Sequence, residues 1–368
     1  MTERIVPNMS TNSVPISGLA ELEKHLDDLV ASPDTPLEPK LLDDVELQLN
    51  ETNIPPLLPV LLPPLITILK TSPHDPKPLV SLTIKLLSPV PFTQTLQLAD
   101  ESSLLTALRS PSPHANLLAL AILAKASASP SDAAILSLMP RVVEELLRRW
   151  LSSPHVEVGE RAGRVLGDLL DVDCELPPPS TLPSSSATEL VKRRAPGQGR
   201  MWRRIFHDKE LFGLVLSLAK GIDPSPSPTS DQNEGPVTLS ERQLSLVQGR
   251  ILRILPRLAA LNIVEVGVSQ FPDLMGSSEV GLLQLAALHM VDKSDTLMHL
   301  NLIDFFETLL SVMRVVEHSH RTMGILKDLV KQATRDDNLL KNALRSLPDR
   351  TVPEESESLR NFIRDVLA

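Results

Sequence analysis

Residues 103–126 read SLLTALRSPSPHANLLALAILAKA. An amphipathic leucine-rich run at 103–110 and a second apolar run at 116–126 flank Ser112-Pro113-His114. Serine is a good helix N-cap, because its hydroxyl accepts an orphan backbone N–H. Proline loses nothing at the first helical position, where its missing N–H would have no intrahelical partner. Ser-Pro therefore ends one helix and opens the next, and the stretch reads as a helix–turn–helix.

The junction recurs. Ser-Pro-His stands again at 72–74 and 153–155, and a variant, Ser32-Pro33-Asp34, comes earlier. The prolines at 33, 73, 113 and 154 are separated by steps of 40, 40 and 41 residues. Similar runs precede each junction: LEKHLDDLVA, PLITILKT, SLLTALRS and EELLRRWLS. Apolar runs such as LVSLTIKLL and RAGRVLGDLL follow. In the first two units Pro36, Pro39, Pro76 and Pro78 delay the second helix by a few residues. A period near forty with two or three helices per unit resembles HEAT and armadillo repeats. The expected fold is all-α, a right-handed superhelical solenoid of roughly eight or nine repeats.

Composition agrees with helix. Leucine dominates the 42% of hydrophobic residues, aromatics are 2% and tyrosine is absent. Leucine favours helices, whereas strands favour aromatic and β-branched residues. With 33 prolines and 14 glycines, the helices must be short and punctuated. The longest uncharged run, Thr52 to Leu69, carries five prolines and is expected to form a buried helical hairpin rather than a membrane span. The first residues lack the apolar core of a signal peptide. The single cysteine, Cys174, allows no intrachain disulfide and reads as a loop thiol in a reducing compartment, so the chain is expected to be cytoplasmic, nuclear or both.

The rhythm divides the chain into five parts. Residues 1–171 are repeats. Residues 172–198 are a Pro/Ser-rich and then basic insertion, and 199–220 hold two repeat helices. Residues 221–238 are a flexible loop, and 239–368 are C-terminal repeats ending in a capping helix. Helices are expected at 239–262, 278–293, 294–318, 323–334 and 338–347, with Asp208 and Ser294-Asp295 as caps.

Chemistry is hard to find. No nucleophile elbow, dinucleotide fingerprint, Walker loop or zinc-protease helix is present. His74, His114 and His155 lie one repeat apart, about 10 Å by helix diameter, too far to share an ion. His318 and His320 lack carboxylate or thiolate partners nearby. Gly159, Gly163 and Gly167 form no phosphate loop, and read as small residues that let helices approach. No enzyme activity, cofactor, metal or small-molecule substrate is expected.

One island stands out. Lys192, Arg193, Arg194, Arg200, Arg203 and Arg204 lie together with no acid among them, in a chain of formal charge −10. Six like charges repel, so they are the candidate partner-binding residues. Trp202, Ile205 and Phe206, between them, read as core. The surrounding GRMWRRIFHDKELFGLVLSL, 199–218, resembles the 26S proteasome non-ATPase regulatory subunit five family, some of whose fungal relatives carry a mismatch-repair name. Trp202, Arg203, Arg204, Ile205 and Phe206 are the residues that match. The resemblance implies a helical solenoid that chaperones assembly of the proteasome's regulatory particle. It would bind the C-terminal domain of a base ATPase subunit and delay docking on the core particle. The alternatives are an armadillo-type cargo or adaptor scaffold, or a DNA-repair-associated binding protein. Neither a membrane nor nucleic acid is the favoured partner.

Overall fold

The computed structural model describes residues 16–71, 76–175, 196–224, 237–276, 280–316 and 318–368. The fold is all-α. In chain order the first helices are α1 (Leu19–Ala31), α2 (Pro39–Glu46), α3 (Leu58–Thr71), α4 (Lys77–Leu87), α5 (Phe92–Leu98), α6 (Glu101–Arg109) and α7 (Pro113–Ala124). Next come α8 (Pro130–Ser137), α9 (Pro140–Ser152), α10 (Val156–Val172), α11 (Arg200–Phe206) and α12 (Lys209–Ala219). A ribbon of β1 (Ile222–Asp223) and β2 (Val237–Thr238) precedes α13 (Glu241–Gly267), α14 (Pro272–Met275), α15 (Leu282–Gln284) and α16 (Thr296–Met313). The chain ends with α17 (His320–Thr334), α18 (Asn338–Ser346) and α19 (Pro353–Val366).

Proline sets the starts. Pro39, Pro113, Pro130, Pro140, Pro272 and Pro353 each hold a first helical position. α4 begins only after Pro76, as the extra prolines led us to expect. The Ser-Pro start is complete at Ser129-Pro130, where the Ser129 hydroxyl accepts the Asp132 N–H at 3.1 Å. Ser32-Pro33-Asp34 lies between α1 and α2, and Ser112-Pro113 opens α7. Ser72-Pro73-His74 is outside the described residues. The third copy differs. Pro154 is not the first helical residue, because α10 starts at Val156 and His155 takes the cap position. Ser153 is extended, the conformation that a following proline imposes, and its hydroxyl accepts the His155 N–H at 3.3 Å.

Two compact units form, residues 1–100 with 110–122, and residues 101–109 with 123–368. In the first unit α1 packs on α3 and α2 on α4, around Leu22, Leu26, Leu42, Leu65 and Leu82, which are fully buried. In the second, α9 packs on α6 and α10, α10 on α13, α13 on α16, and α17 on α19. Removing one such leucine side chain to alanine costs about 2–5 kcal/mol.

Four expectations are corrected. Residues 52–69 form no hairpin: a 3₁₀ turn at Pro55–Leu57 runs straight into α3, which keeps Pro63 and Pro64 inside it. Those prolines orphan the carbonyls of Pro59 and Val60, but both residues are exposed, so water serves them. At the two ends of the expected 221–238 loop, β1 and β2 pair antiparallel, Ile222 with Thr238 and Asp223 with Val237. The expected helix at 278–293 is reduced to α15 and a π-turn through His289. The helix expected to stop at Asn262 instead continues to Gly267, after a break at Asn262 with φ −157° and ψ 85°. No described helix is long and apolar enough to cross a membrane.

Two acids cap helices in the C-terminal half, the exposed Asp295 and the buried Asp337. Asp295 caps α16 through the Leu297 and Met298 N–H groups, as its sequence position suggested. Asp337 caps α18 through Leu340 and also pairs with Lys293 at 3.0 Å and His299 at 2.8 Å. Burial alone would raise the Asp337 carboxyl, yet Leu340, Lys293 and His299 together hold it below its ordinary 3.8. The folded chain therefore binds this proton more weakly than the unfolded chain. Its stabilisation is complete above the unfolded value and fades as pH falls through the lower folded one. Asp337→Asn is expected to cost about 1–3 kcal/mol at neutral pH. In urea titrations across pH, the gap to wild type should hold constant above about pH 5 and narrow below about pH 4. A gap independent of pH would contradict the assignment.

Candidate interaction surface at residues 197–208

α11 has seven residues, a length at which an isolated helix is marginal in water. It lacks a cap of its own: Gly199 precedes it and offers no side chain. The cap comes from the far side of the insertion. Asp173, directly after α10, is wholly buried. Its carboxylate accepts N–H groups from Gln198 at 3.2 Å, Met201 at 2.5 Å and Trp202 at 3.4 Å. Its main-chain carbonyl accepts the Gly199 N–H at 2.9 Å, and the Cys174 carbonyl accepts that of Gly197 at 2.8 Å. A carboxylate at a helix N-terminus satisfies orphan donors and complements the helix dipole. Burial pushes the Asp173 carboxyl above its ordinary value, against the pull of four backbone N–H groups from Met201, Trp202, Gln198 and Arg200.

The two glycines follow from this closure. A Cβ at Gly197 would stand 2.0 Å from the Asp173 carbonyl carbon, and Gly199 adopts φ +63°. Only glycine meets both demands without strain.

Trp202 then turns inward. Its indole N–H donates to the Leu170 carbonyl at 2.8 Å, satisfying one of the orphan carbonyls that end α10. The ring stacks on Phe206 at 5.4 Å, Phe206 meets Phe212 at 6.1 Å, and Phe212 meets Phe271 at 6.0 Å. Trp202, Ile205 and Phe206 are all buried. Asp208 accepts from Glu210 and Leu211 and so caps α12.

The arginines divide. Arg203 pairs with Glu175 at 2.8 Å, and Arg204 with Asp208 at 3.0 Å while also donating to the Ser137 carbonyl at 2.9 Å. The acids missing from the linear island are thus supplied by residues before and after it. Arg200 is exposed and has no side-chain partner among the described residues. Lys192, Arg193 and Arg194 lie outside the described residues. No known protein-family model matches the chain, and no curated protein is significantly similar to it in sequence. Among the described residues no group of three His, Cys, Asp or Glu side chains is placed to hold a metal ion.

Sequence reasoning passed over Asp173. A signal was present: a helix preceded by Gly-Gln-Gly has no cap of its own and must borrow one. Nothing in linear order says that the lender stands 28 residues before Met201. Asp173→Ala is expected to lower stability by about 2–4 kcal/mol, combining a lost cap with lost charged hydrogen bonds. Gly197→Ala should cost about 1–3 kcal/mol through the backbone clash. Arg203→Gln, whose ion pair is half-exposed, should change stability by less than about 1 kcal/mol. Urea unfolding followed by circular dichroism checks all three, and an unchanged midpoint for Asp173→Ala would remove the anchor.

Proposed function

We propose that this chain is a helical-repeat binding protein, a HEAT/armadillo-like right-handed superhelical solenoid, that chaperones assembly of the proteasome's regulatory particle. In this reading it binds the C-terminal domain of a base ATPase subunit and delays docking on the core particle. It acts in the cytoplasm or nucleus, without a cofactor and without catalysis. The observation that carries the reading is the segment GRMWRRIFHDKELFGLVLSL at 199–218, with its resemblance to the non-ATPase regulatory subunit five family. The all-helical fold supports it, as do Ser-Pro junctions that fall between helices near a forty-residue period.

The alternatives draw less support. Armadillo cargo adaptors line their grooves with tryptophans, whereas Trp150 and Trp202 are both buried here. A nucleic-acid reading needs free cations, and Arg203 and Arg204 already face carboxylates. Within the island, Arg200 is exposed and has no side-chain partner among the described residues, so it is open to an acidic partner.

Co-expression with the base ATPase subunits, followed by pull-down and mass spectrometry, tests the proposal. One ATPase subunit should co-purify with the wild-type chain. Capture of other proteins without any ATPase subunit would overturn the reading. Replacing Arg200, Arg203 and Arg204 with Glu should reduce ATPase capture at least tenfold while circular dichroism confirms the fold. Undiminished capture by the folded triple variant would move the contact away from this island.

A further inference from the structure

The glycine face of α10 receives side chains rather than a bare neighbouring backbone. A Cβ at Gly159 would stand 2.3 Å from the guanidinium carbon of Arg250 on α13. One at Gly163 would stand 3.1 Å from Cδ1 and 3.2 Å from Nε1 of Trp150 on α9. One at Gly167 would stand 2.6 Å from Arg257 Nη1. Arg250, Arg253 and Arg257 share one face of α13 at helical spacing, so three guanidiniums run beside a glycine floor. Between them opens a cleft of about 190 Å³, lined also by Arg164, Glu160 and Ile254.

Charge in the cleft is unbalanced. Arg253 pairs with Glu160, and Arg257 pairs with Asp168 at 2.8 Å and Asp171 at 3.1 Å. Two cations remain. Arg164 is exposed and has no side-chain partner among the described residues. Arg250 is 7% exposed, and its one hydrogen bond is from Nη1 to the Leu151 carbonyl at 2.9 Å. Burial pushes its guanidinium below the ordinary value, with Glu160 only partly offsetting that effect. A largely buried guanidinium with no ion pair of its own is costly unless something anionic meets it. A third donor waits beside it. Trp150 is 4% exposed, and its indole N–H has no acceptor among the described residues. Unlike the Trp202 nitrogen, which is bonded to Leu170, the Trp150 nitrogen is open at the cleft surface.

We infer that this cleft binds an acidic peptide segment of a partner protein, seating one carboxylate on Arg250 and Arg164 with the Trp150 N–H as the third donor. Its volume falls below the roughly 300–1,000 Å³ of drug-sized ligand pockets, and suits one acidic side chain. The planar guanidinium fork matches a carboxylate, and this row already holds three, from Glu160, Asp168 and Asp171. Those same acids repel a second negative charge, which sets a carboxylate above a phosphate dianion. The site is separate from residues 197–208 and holds whichever complex the chain joins.

The two tryptophans supply the readout. The full-length chain, labelled with ¹⁵N at its indoles, is titrated with a hexaglutamate peptide. Hexaglutamine and inorganic phosphate serve as the other arms. The Trp150 indole resonance should move with hexaglutamate. That of Trp202, bonded to Leu170, should stay, and hexaglutamine should move neither. Arg164→Gln, on the surface, should keep the fold and weaken hexaglutamate binding about 3–10-fold. Arg250→Gln should weaken it further where that variant folds, and the Arg164 result decides the matter where it does not. A Trp150 resonance unmoved at millimolar hexaglutamate would sink the inference, as would equal affinity in Arg164→Gln. Phosphate moving that resonance at lower concentration than hexaglutamate would replace it with a phosphate site.

Discussion

The Asp173 carboxylate on the N-terminus of α11 is the contact on which this half of the molecule depends. Burying a carboxylate costs several kcal/mol unless donors surround it. Here the donors are backbone N–H groups of Gln198, Met201 and Trp202, which would otherwise be orphans. Each side solves the other's problem, and charge-assisted bonds of this kind are roughly twice as strong as neutral ones. The constraint spreads outward. It demands glycine at 197, where the chain touches Asp173, and left-handed backbone at 199. It starts a helix too short to form alone, which then delivers Trp202 and Phe206 into the core.

α10 is the element through which these contacts pass. Its C-terminal end serves α11 twice, by the Asp173 carboxylate and by the Leu170 carbonyl that takes the Trp202 N–H. Its glycine face admits Trp150 from α9 and Arg250 and Arg257 from α13. One helix thus positions both surfaces discussed above, at different places along its length. A volume change on its glycine face would press on the Arg250 guanidinium, and a change at its end would release α11.

The arginines show how poorly proximity in sequence measures electrostatics. Six cations between 192 and 204 look mutually repulsive in linear order, yet Arg203 and Arg204 are met by Glu175 and Asp208. Arg250, Arg253 and Arg257 attract little notice in a long amphipathic helix. In space they gather beside Arg164, and Arg250 is buried without an ion pair of its own. Exposed pairs of the first kind contribute little to stability. A buried guanidinium without a counter-ion has larger consequences, because low dielectric strengthens whatever it meets.

Local chemistry made much of this readable from sequence alone. Leucine content implied helices, proline fixed where many of them begin, and Asp208 and Asp295 capped where their positions suggested. Those features act over one turn, so a short window contains their whole cause. The prolines at 63 and 64 misled because their cost depends on whether the orphaned carbonyls reach water, which is a matter of burial. The pairing of Ile222 with Thr238 likewise turned on residues distant in the chain, whereas the departure at Ser153 follows from the proline after it. Above all, tertiary structure decided the partners of side chains far apart in the chain: Asp173 with Met201, Arg253 with Glu160, Trp150 with Gly163. Hydrogen bonds and ion pairs act over a few ångströms, and linear order does not say which distant residues come that close.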